Sequence, residues 1–225
     1  MRRIYYLLGI LACVALTWFG GPVLGRRLSY FNVRRIEVRG ARFLAAEEVV
    51  RALALPRQWS LFDDRDPLIE RVRAMGGVER AEIRRRLPGT LIIDLAETPP
   101  VAFVGARQGL RMVDERGKLL PYDPARSAPD LPVLERRDSL VTLLLGRMRQ
   151  LDPALFAEVS AARRVNRDVV VEVEAGRRIW FRPDAGTAEM EAVQLVAQDL
   201  ARRGRAYKEL DARFADQIVV RRSAA

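Results

Sequence analysis

Between residues 78 and 97 the apolar positions fall on every second residue, twice over. Ala81, Ile83 and Leu87 alternate with charged side chains, Pro88-Gly89 breaks the run, and Leu91, Ile93 and Leu95 alternate again. A period of two marks a strand with one buried face, so the stretch predicts a hairpin turned by the Pro-Gly pair. Upstream, Ile36 and Val38 alternate with charged neighbours and end at Gly40, which predicts a first strand within residues 31–40. The spacing then changes to that of a helix. Val49, Ala52 and Leu53 share a face over residues 45–55, closed by Pro56. A second helix opens at Asp66, expected to accept free amides as N-cap, with Pro67 in the first turn and Leu68, Val72 and Met75 along one side. Gly76 and Gly77 end it. The order strand, helix, helix, strand, strand suits two helices on one face of a small sheet.

Glu97 and the Pro99-Pro100 pair close this first module, because proline cannot donate to a ladder. Beyond them short strands dominate, expected over residues 101–104, 110–114, 118–120, 165–174 and 177–182. Turns are signalled at residues 114–117 and at Ala175-Gly176. Helical spacing returns over residues 139–151 and 188–203. In the latter, Met190, Val193, Leu195, Val196 and Leu200 form the expected buried stripe. Two strand-like pieces, residues 207–214 and 217–221, finish the chain.

At the other end, residues 4–24 carry no charge. As a helix they would span about 30 Å, the thickness of a bilayer's hydrocarbon core. Tyr5, Tyr6, Trp18 and Phe19 lie toward the two ends, where amphipathic rings prefer the headgroup layer. The stretch exceeds the usual apolar region of a cleaved signal peptide, about 7–15 residues, which favours a retained anchor. Arg2 and Arg3 before it are matched by Arg26 and Arg27 after it, so charge does not set the orientation. An apolar segment so near the start, ahead of one long globular region, behaves as a signal-anchor: tail 1–3 cytoplasmic, bulk outside.

Composition removes several chemistries. The 225 residues carry a net charge of +10 and no histidine, and Lys118 and Lys208 are the only lysines. Without imidazole there is no Ser/His/Asp or Cys/His relay and no histidine-containing zinc set. Cys13 is the sole cysteine, which excludes a disulfide framework. The acid pairs Glu47-Glu48 and Asp63-Asp64 stand at or before helix starts, where they complement the dipole. Neither a GxSxG elbow nor a Walker loop nor SxxK is present. The expectation is a protein without enzymatic activity, cofactor or metal.

With these pieces in order, the chain resembles the FtsQ/DivIB family of bacterial cell-division proteins. The residues that carry the resemblance are Ile36-x-Val38-x-Gly40; Val78, Ala81, Ile83, Arg85, Leu87, Pro88, Leu91, Ile93, Leu95, Glu97, Pro100 and Ala102 at their spacings; Val113-Asp114-x-x-Gly117; Leu131-Pro132; and Asp211-x-Arg213-Phe214. The resemblance implies an α+β protein: a single N-terminal transmembrane helix (residues 4–24), a POTRA-like β-α-α-β-β domain (31–99), then a mixed β-domain with two helices and an open C-terminal sheet edge (100–222). It further implies a single-pass inner-membrane protein at the division septum with its bulk in the periplasm. The implied partners are FtsB and FtsL, with FtsK and FtsW/FtsI as further members of the complex.

An open edge offers unpaired N–H and C=O groups to a partner strand. The candidate segment is YKELDARFADQIVV, with Asp211, Ala212, Arg213, Phe214, Ala215 and Gln217 as binding residues. Leu210, Ala212 and Phe214 are expected to face the core, and Asp211 and Arg213 to project outward, Arg213 toward acids of the partner. The bland reading is a final strand with a solvated face. Arginine clusters at 34–35, 84–86, 163–164, 177–178, 202–203 and 221–222 are expected to be solvated faces, those of the first strand lying nearest the anchor and suited to anionic headgroups. The alternatives are a periplasmic chaperone or transport module built on the same POTRA-like domain, and a basic nucleic-acid binder, for which no RNP aromatics, zinc pattern or recognition helix is evident.

Overall fold

The structure, a computed structural model, describes residues 28–107, 109–127, 129–215 and 217–222. The apolar segment 4–24 and the tail 1–3 lie outside the described residues. Among the described residues no helix is long and apolar enough to cross a membrane. The chain divides into two compact units, with the boundary between Glu97 and Thr98.

In the first unit a short 3-10 turn (Ser29–Phe31) leads into β1 (Arg35–Arg39), α1 (Ala46–Leu53), α2 (Asp66–Arg73), β2 (Val78–Arg86) and β3 (Thr90–Glu97). The sheet order is β1-β3-β2. The parallel register Ile36↔Leu91 and Val38↔Ile93 requires a crossover, and the two helices supply it. Their apolar faces (Val49, Leu53, Leu68, Val72) close a core with Ala81, Ile83, Leu91, Ile93 and Leu95.

Two details depart from the alternation and capping rules. Leu87 belongs to the turn, not to the buried face, and is 61% exposed. Asp66 is the first residue inside α2 and its side chain caps nothing there; the residue at the N-cap is Arg65. Asp64 Oδ1 instead accepts the Asp66 N–H at 3.0 Å.

Two other residues close the unit. Glu97, at the end of β3, accepts from three consecutive amides, those of Arg42, Phe43 and Leu44, at 2.7–3.1 Å. Gly40 turns the chain out of β1 with φ +79°, and a Cβ there would stand 2.1 Å from Leu95 O.

The second unit is an eight-stranded sheet in the order β11-β10-β9-β8-β7-β6-β4-β5. Its elements are β4 (Ala102–Ala106), β5 (Gly109–Val113), a helical turn α3 (Pro124–Ser127), β6 (Val133–Leu134), α4 (Ser139–Leu151), α5 (Pro153–Glu158), β7 (Val159–Val165), β8 (Asp168–Val173), β9 (Arg177–Phe181), α6 (Thr187–Arg202), β10 (Glu209–Phe214) and β11 (Gln217–Arg221). Side chains of α4 (Val141, Leu144, Leu145, Met148), α5 (Leu155, Phe156) and α6 (Met190, Val193, Leu200) share one core with Val169, Val171, Ile179, Phe181, Leu210 and Ala212.

The hydrophobic pattern underestimates this unit. The strand expected over 165–174 is β8, beginning at Asp168; its hairpin partner β7 lies upstream and was not expected, the chain turning between them at Asn166 with φ +56°. Besides the two expected helices the unit has α3 and α5, and residues 118–120 form the isolated bridge Val113↔Leu119 in place of a strand. Leu195, assigned to the buried stripe of α6, is 63% exposed.

The Val113-Asp114-x-x-Gly117 motif is a tight turn. Asp114 Oδ1 accepts the amides of Arg116 (2.9 Å) and Lys118 (2.8 Å), and Gly117 adopts φ +75°. The Asp138 carboxylate caps α4 through the Leu140 N–H at 3.0 Å.

Candidate partner-binding edge

Two residues separate Phe214 from Gln217, the length of a tight hairpin loop. β10 and β11 accordingly pair antiparallel, Glu209↔Arg221, Leu210↔Val220 and Asp211↔Val219, with a slip in register before Phe214↔Gln217. On its other side β10 runs parallel to β9 from Glu209↔Arg178 to Asp211↔Trp180. Of the two ends of the sheet, β5 and β11, the C-terminal edge is therefore β11, one strand beyond most of the residues expected to form it. β11 alternates in burial: Ile218 and Val220 turn toward the core beneath α6, while Gln217, Val219 and Arg221 are exposed. Its outer row of backbone groups ends the strand order.

The six expected binding residues divide accordingly. Asp211 and Ala212 are buried in β10, Arg213 is half-buried beside them, and Phe214 and Ala215 are exposed at the turn. Gln217 opens β11 and is exposed. Leu210 and Ala212 do face the core, but Phe214 does not; the slipped register at the end of β10 leaves it 46% exposed.

Asp211 does not project into solvent, being 1% exposed. The guanidinium of Arg213 grips it in bidentate fashion, Nε to Oδ1 at 2.7 Å and Nη2 to Oδ2 at 2.6 Å. Nη1 reaches Asp168 Oδ2 on β8 at 2.7 Å, and the guanidinium carbon lies 4.7 Å from the centre of the Trp180 ring. Arg213 is thus held by two carboxylates of its own chain. Arg221 remains exposed at the edge, and its longer contacts run to Glu209 (3.6 Å) and Asp211 (3.7 Å). Glu209 is also paired with Arg178.

These contacts set the local acidities. Hydrogen bonds from Arg213 hold the Asp211 carboxyl below the usual carboxylate range despite its burial. Hydrogen bonds to Asp211 and Asp168 raise Arg213 further above its ordinary value.

Beside the edge, α6 and the start of β11 enclose an apolar groove of about 470 Å³, lined in part by Ala188, Ala192, Leu195, Val196, Phe214 and Ile218. The exposed Leu195 of α6 is one wall. The sequence separates the two final strands at residues 207–214 and 217–221, yet most of the expected binding residues lie on the first of them; the two-residue spacing between Phe214 and Gln217 is the hairpin signal that β11 covers β10.

A βααββ module ahead of a mixed sheet whose last strand is paired on one side alone defines a class: a POTRA-type domain joined to a sheet domain with a free terminal edge. The FtsQ-type POTRA domain model matches residues 31–98, and the model of the C-terminal region of cell division protein FtsQ/DivIB matches residues 102–217. The chain belongs to the FtsQ/DivIB family of cell-division proteins. It is 30% identical over 221 residues to the cell division protein FtsQ of Anaeromyxobacter sp. (strain K), covering 90% of this chain and 72% of that one. To FtsQ of Rhodothermus marinus it is 30% identical over 222 residues, 88% and 80% of the two chains. To FtsQ of Zymomonas mobilis it is 26% identical over 177 residues, 77% of this chain and 55% of that one. The chain thus spans between about half and four-fifths of these relatives' lengths.

Proposed function

We propose that the chain is a non-enzymatic scaffold of the bacterial division complex, anchored in the inner membrane by residues 4–24 with its two units in the periplasm. In this reading it links early and late division proteins at the septum, and β11 receives a strand from FtsB or FtsL by β-augmentation. The observation that carries the reading is the position of β11 at the end of the strand order, with no further strand paired to it among the described residues. FtsK and FtsW/FtsI are the further members expected to meet it.

Each added backbone hydrogen bond contributes about 0.5–1.5 kcal/mol net, so several must act together. Arg221 and Arg222 favour an acidic residue on the incoming strand. Phe214, Ala215 and Gln217, at the mouth of the groove, then take up its neighbouring side chains, while Asp211, Ala212 and Arg213 hold β10 flat beneath the edge.

Alternation along β11 supplies the test. Successive backbone N–H groups of a strand point to opposite sides, so prolines at Ile218, Val219 and Val220 fall alternately on the β10 ladder and on the free row. Partner affinity and melting temperature of the full-length chain are measured for each. The expected outcome is a class that loses binding while melting near the wild-type temperature, and a class that loses stability. If binding survives at every position that leaves the fold intact, β11 is not the docking strand.

A further inference from the structure

The first described residues are packed, not a loose tether. Phe31 O accepts the Leu61 N–H at 2.9 Å, the Val33 N–H reaches Trp59 O at 3.0 Å, and the Phe31 ring stands edge-on to Phe62 with centroids 5.1 Å apart. The β2–β3 turn is drawn to the same end of the unit. Gly89 O accepts the N–H groups of both Arg34 (2.9 Å) and Arg35 (3.2 Å), and a Cβ on Gly89 would stand 2.8 Å from Asn32 O. This end exposes three large apolar or aromatic side chains, Leu28 (48%), Tyr30 (58%) and Leu87 (61%).

The same two stretches, residues 28–35 and 84–90, contain five arginines and no acid. Arg84 and Arg86 are paired with Asp94 and Glu37, and Arg85 donates to Asp63 O. Arg34 lies over the Tyr30 ring at 5.5 Å and donates to Tyr30 O. Neither Arg34 nor Arg35 forms an ion pair among the described residues. The nearby Asp63 and Asp64 accept local amides, those of Ser60 (2.8 Å) and Asp66 (3.0 Å).

We propose that this end of the first unit is a second membrane contact: Leu87, with Leu28 and Tyr30, enters the headgroup–acyl boundary of an anionic bilayer, and Arg34 and Arg35 hold its lipid phosphates. The proposal rests on residues 4–24 spanning the membrane. From residue 24 to Leu28 there are four Cα-to-Cα steps, which reach at most about 14 Å. The interfacial layer on each side of a bilayer is about 5–8 Å thick, and surface attraction acts over a Debye length of about 8 Å. A packed domain on so short a link keeps its entry end at the bilayer surface, whatever its other end meets. Tyrosine prefers that layer, and each arginine near an anionic surface strengthens attachment about fivefold.

The test uses the full chain in nanodiscs of phosphatidylglycerol and phosphatidylethanolamine, with a nitroxide label and depth read from its collisions with oxygen and a water-soluble nickel chelate. The native Cys13 is labelled in one sample. In a Cys13→Ser background, Leu87→Cys and the α2 surface control Glu70→Cys are labelled in two others. The expected result is Cys13 in the hydrocarbon, position 87 at the headgroup–acyl boundary and position 70 in water. Position 87 should shift toward water in phosphatidylcholine discs, and again in anionic discs with Arg34→Gln/Arg35→Gln. Cys13 in hydrocarbon with position 87 as aqueous as position 70 overturns this contact and leaves the anchor standing. An aqueous Cys13 overturns the anchor and the contact together. A depth at position 87 indifferent to lipid charge and to both arginine substitutions overturns the phosphate-binding role.

Discussion

Asp211 shows how one buried carboxylate organises the edge. Its charge is tolerable because Arg213 grips both oxygens while Asp168 and the Trp180 ring hold that guanidinium in place. Arg213→Ala leaves the carboxylate buried with only the longer contact from Arg221, and should cost stability at the lower end of about 3–5 kcal/mol, read by denaturant melts. The sign of the pH dependence follows from the depressed acidity. Because the folded carboxyl ionises more readily than the unfolded one, its stabilisation is full above the unfolded value, about 3.9, and fades as pH falls through the folded value. Wild-type stability should therefore drop below about pH 4–5, with a shallower drop in Asp211→Asn. Gly40 carries a different constraint. A side chain there meets Leu95 O in a backbone conformation that L-residues rarely adopt. Gly40→Ala should cost about 3 kcal/mol by the same melts, and a cost below about 1 kcal/mol would show that β3 yields to the methyl group. The glycine was visible in the sequence; the Leu95 carbonyl above it was not.

Among the elements, β11 is the one whose role changed most between sequence and structure. As five residues with alternating burial, it was readable as a strand. Its place at the outside of the sheet depended on β10 pairing in parallel with β9, a neighbour almost thirty residues upstream. An edge that exposes Val219 beside free backbone groups is adhesive. Val219→Lys puts a charge on the exposed face without touching the core. It should leave the melting temperature within a few degrees of wild type while reducing self-association of the partner-free chain, measured by analytical ultracentrifugation. α6 was equally legible, at residues 187–202 against an expected 188–203. Its stripe was not fully so: Leu195 fits the helical period but stands at the groove wall, because β10 and β11 cover only part of the helix. α5, β6 and β7 went unseen since a six-residue helix, a two-residue strand and the mixed pattern of VSAARRV each offer too few periods to read.

At the scale of the whole chain, each unit closes its own core. Leu53→Ala in the first should cost about 2–5 kcal/mol there. Hydrogen exchange is expected to show faster amides in β1–β3 and unchanged protection in β7–β9; loss of protection in both would mean the units fold as one. Arginine is the material common to the two. Several arginines clip backbone carbonyls of other elements: Arg71 to Leu53 O (2.6 Å), Arg65 to Ile83 O (2.9 Å), Arg147 to Ala185 O (2.9 Å) and Arg149 to Pro100 O (2.7 Å). A planar, five-donor guanidinium suits that task better than a lysine ammonium.

Period and punctuation by themselves determined the βααββ order of the first unit, the two long helices of the second and the final strand, because side-chain alternation and Gly/Pro breaks are local properties of the chain. Together with the dispersed motifs they also pointed to the family. Only the tertiary structure decided which strand forms the rim, which arginines are already held by carboxylates, and that Leu87 shares an end with Tyr30. Those depend on pairings between residues tens of positions apart, and the energy that selects such a pairing is not written in either partner alone.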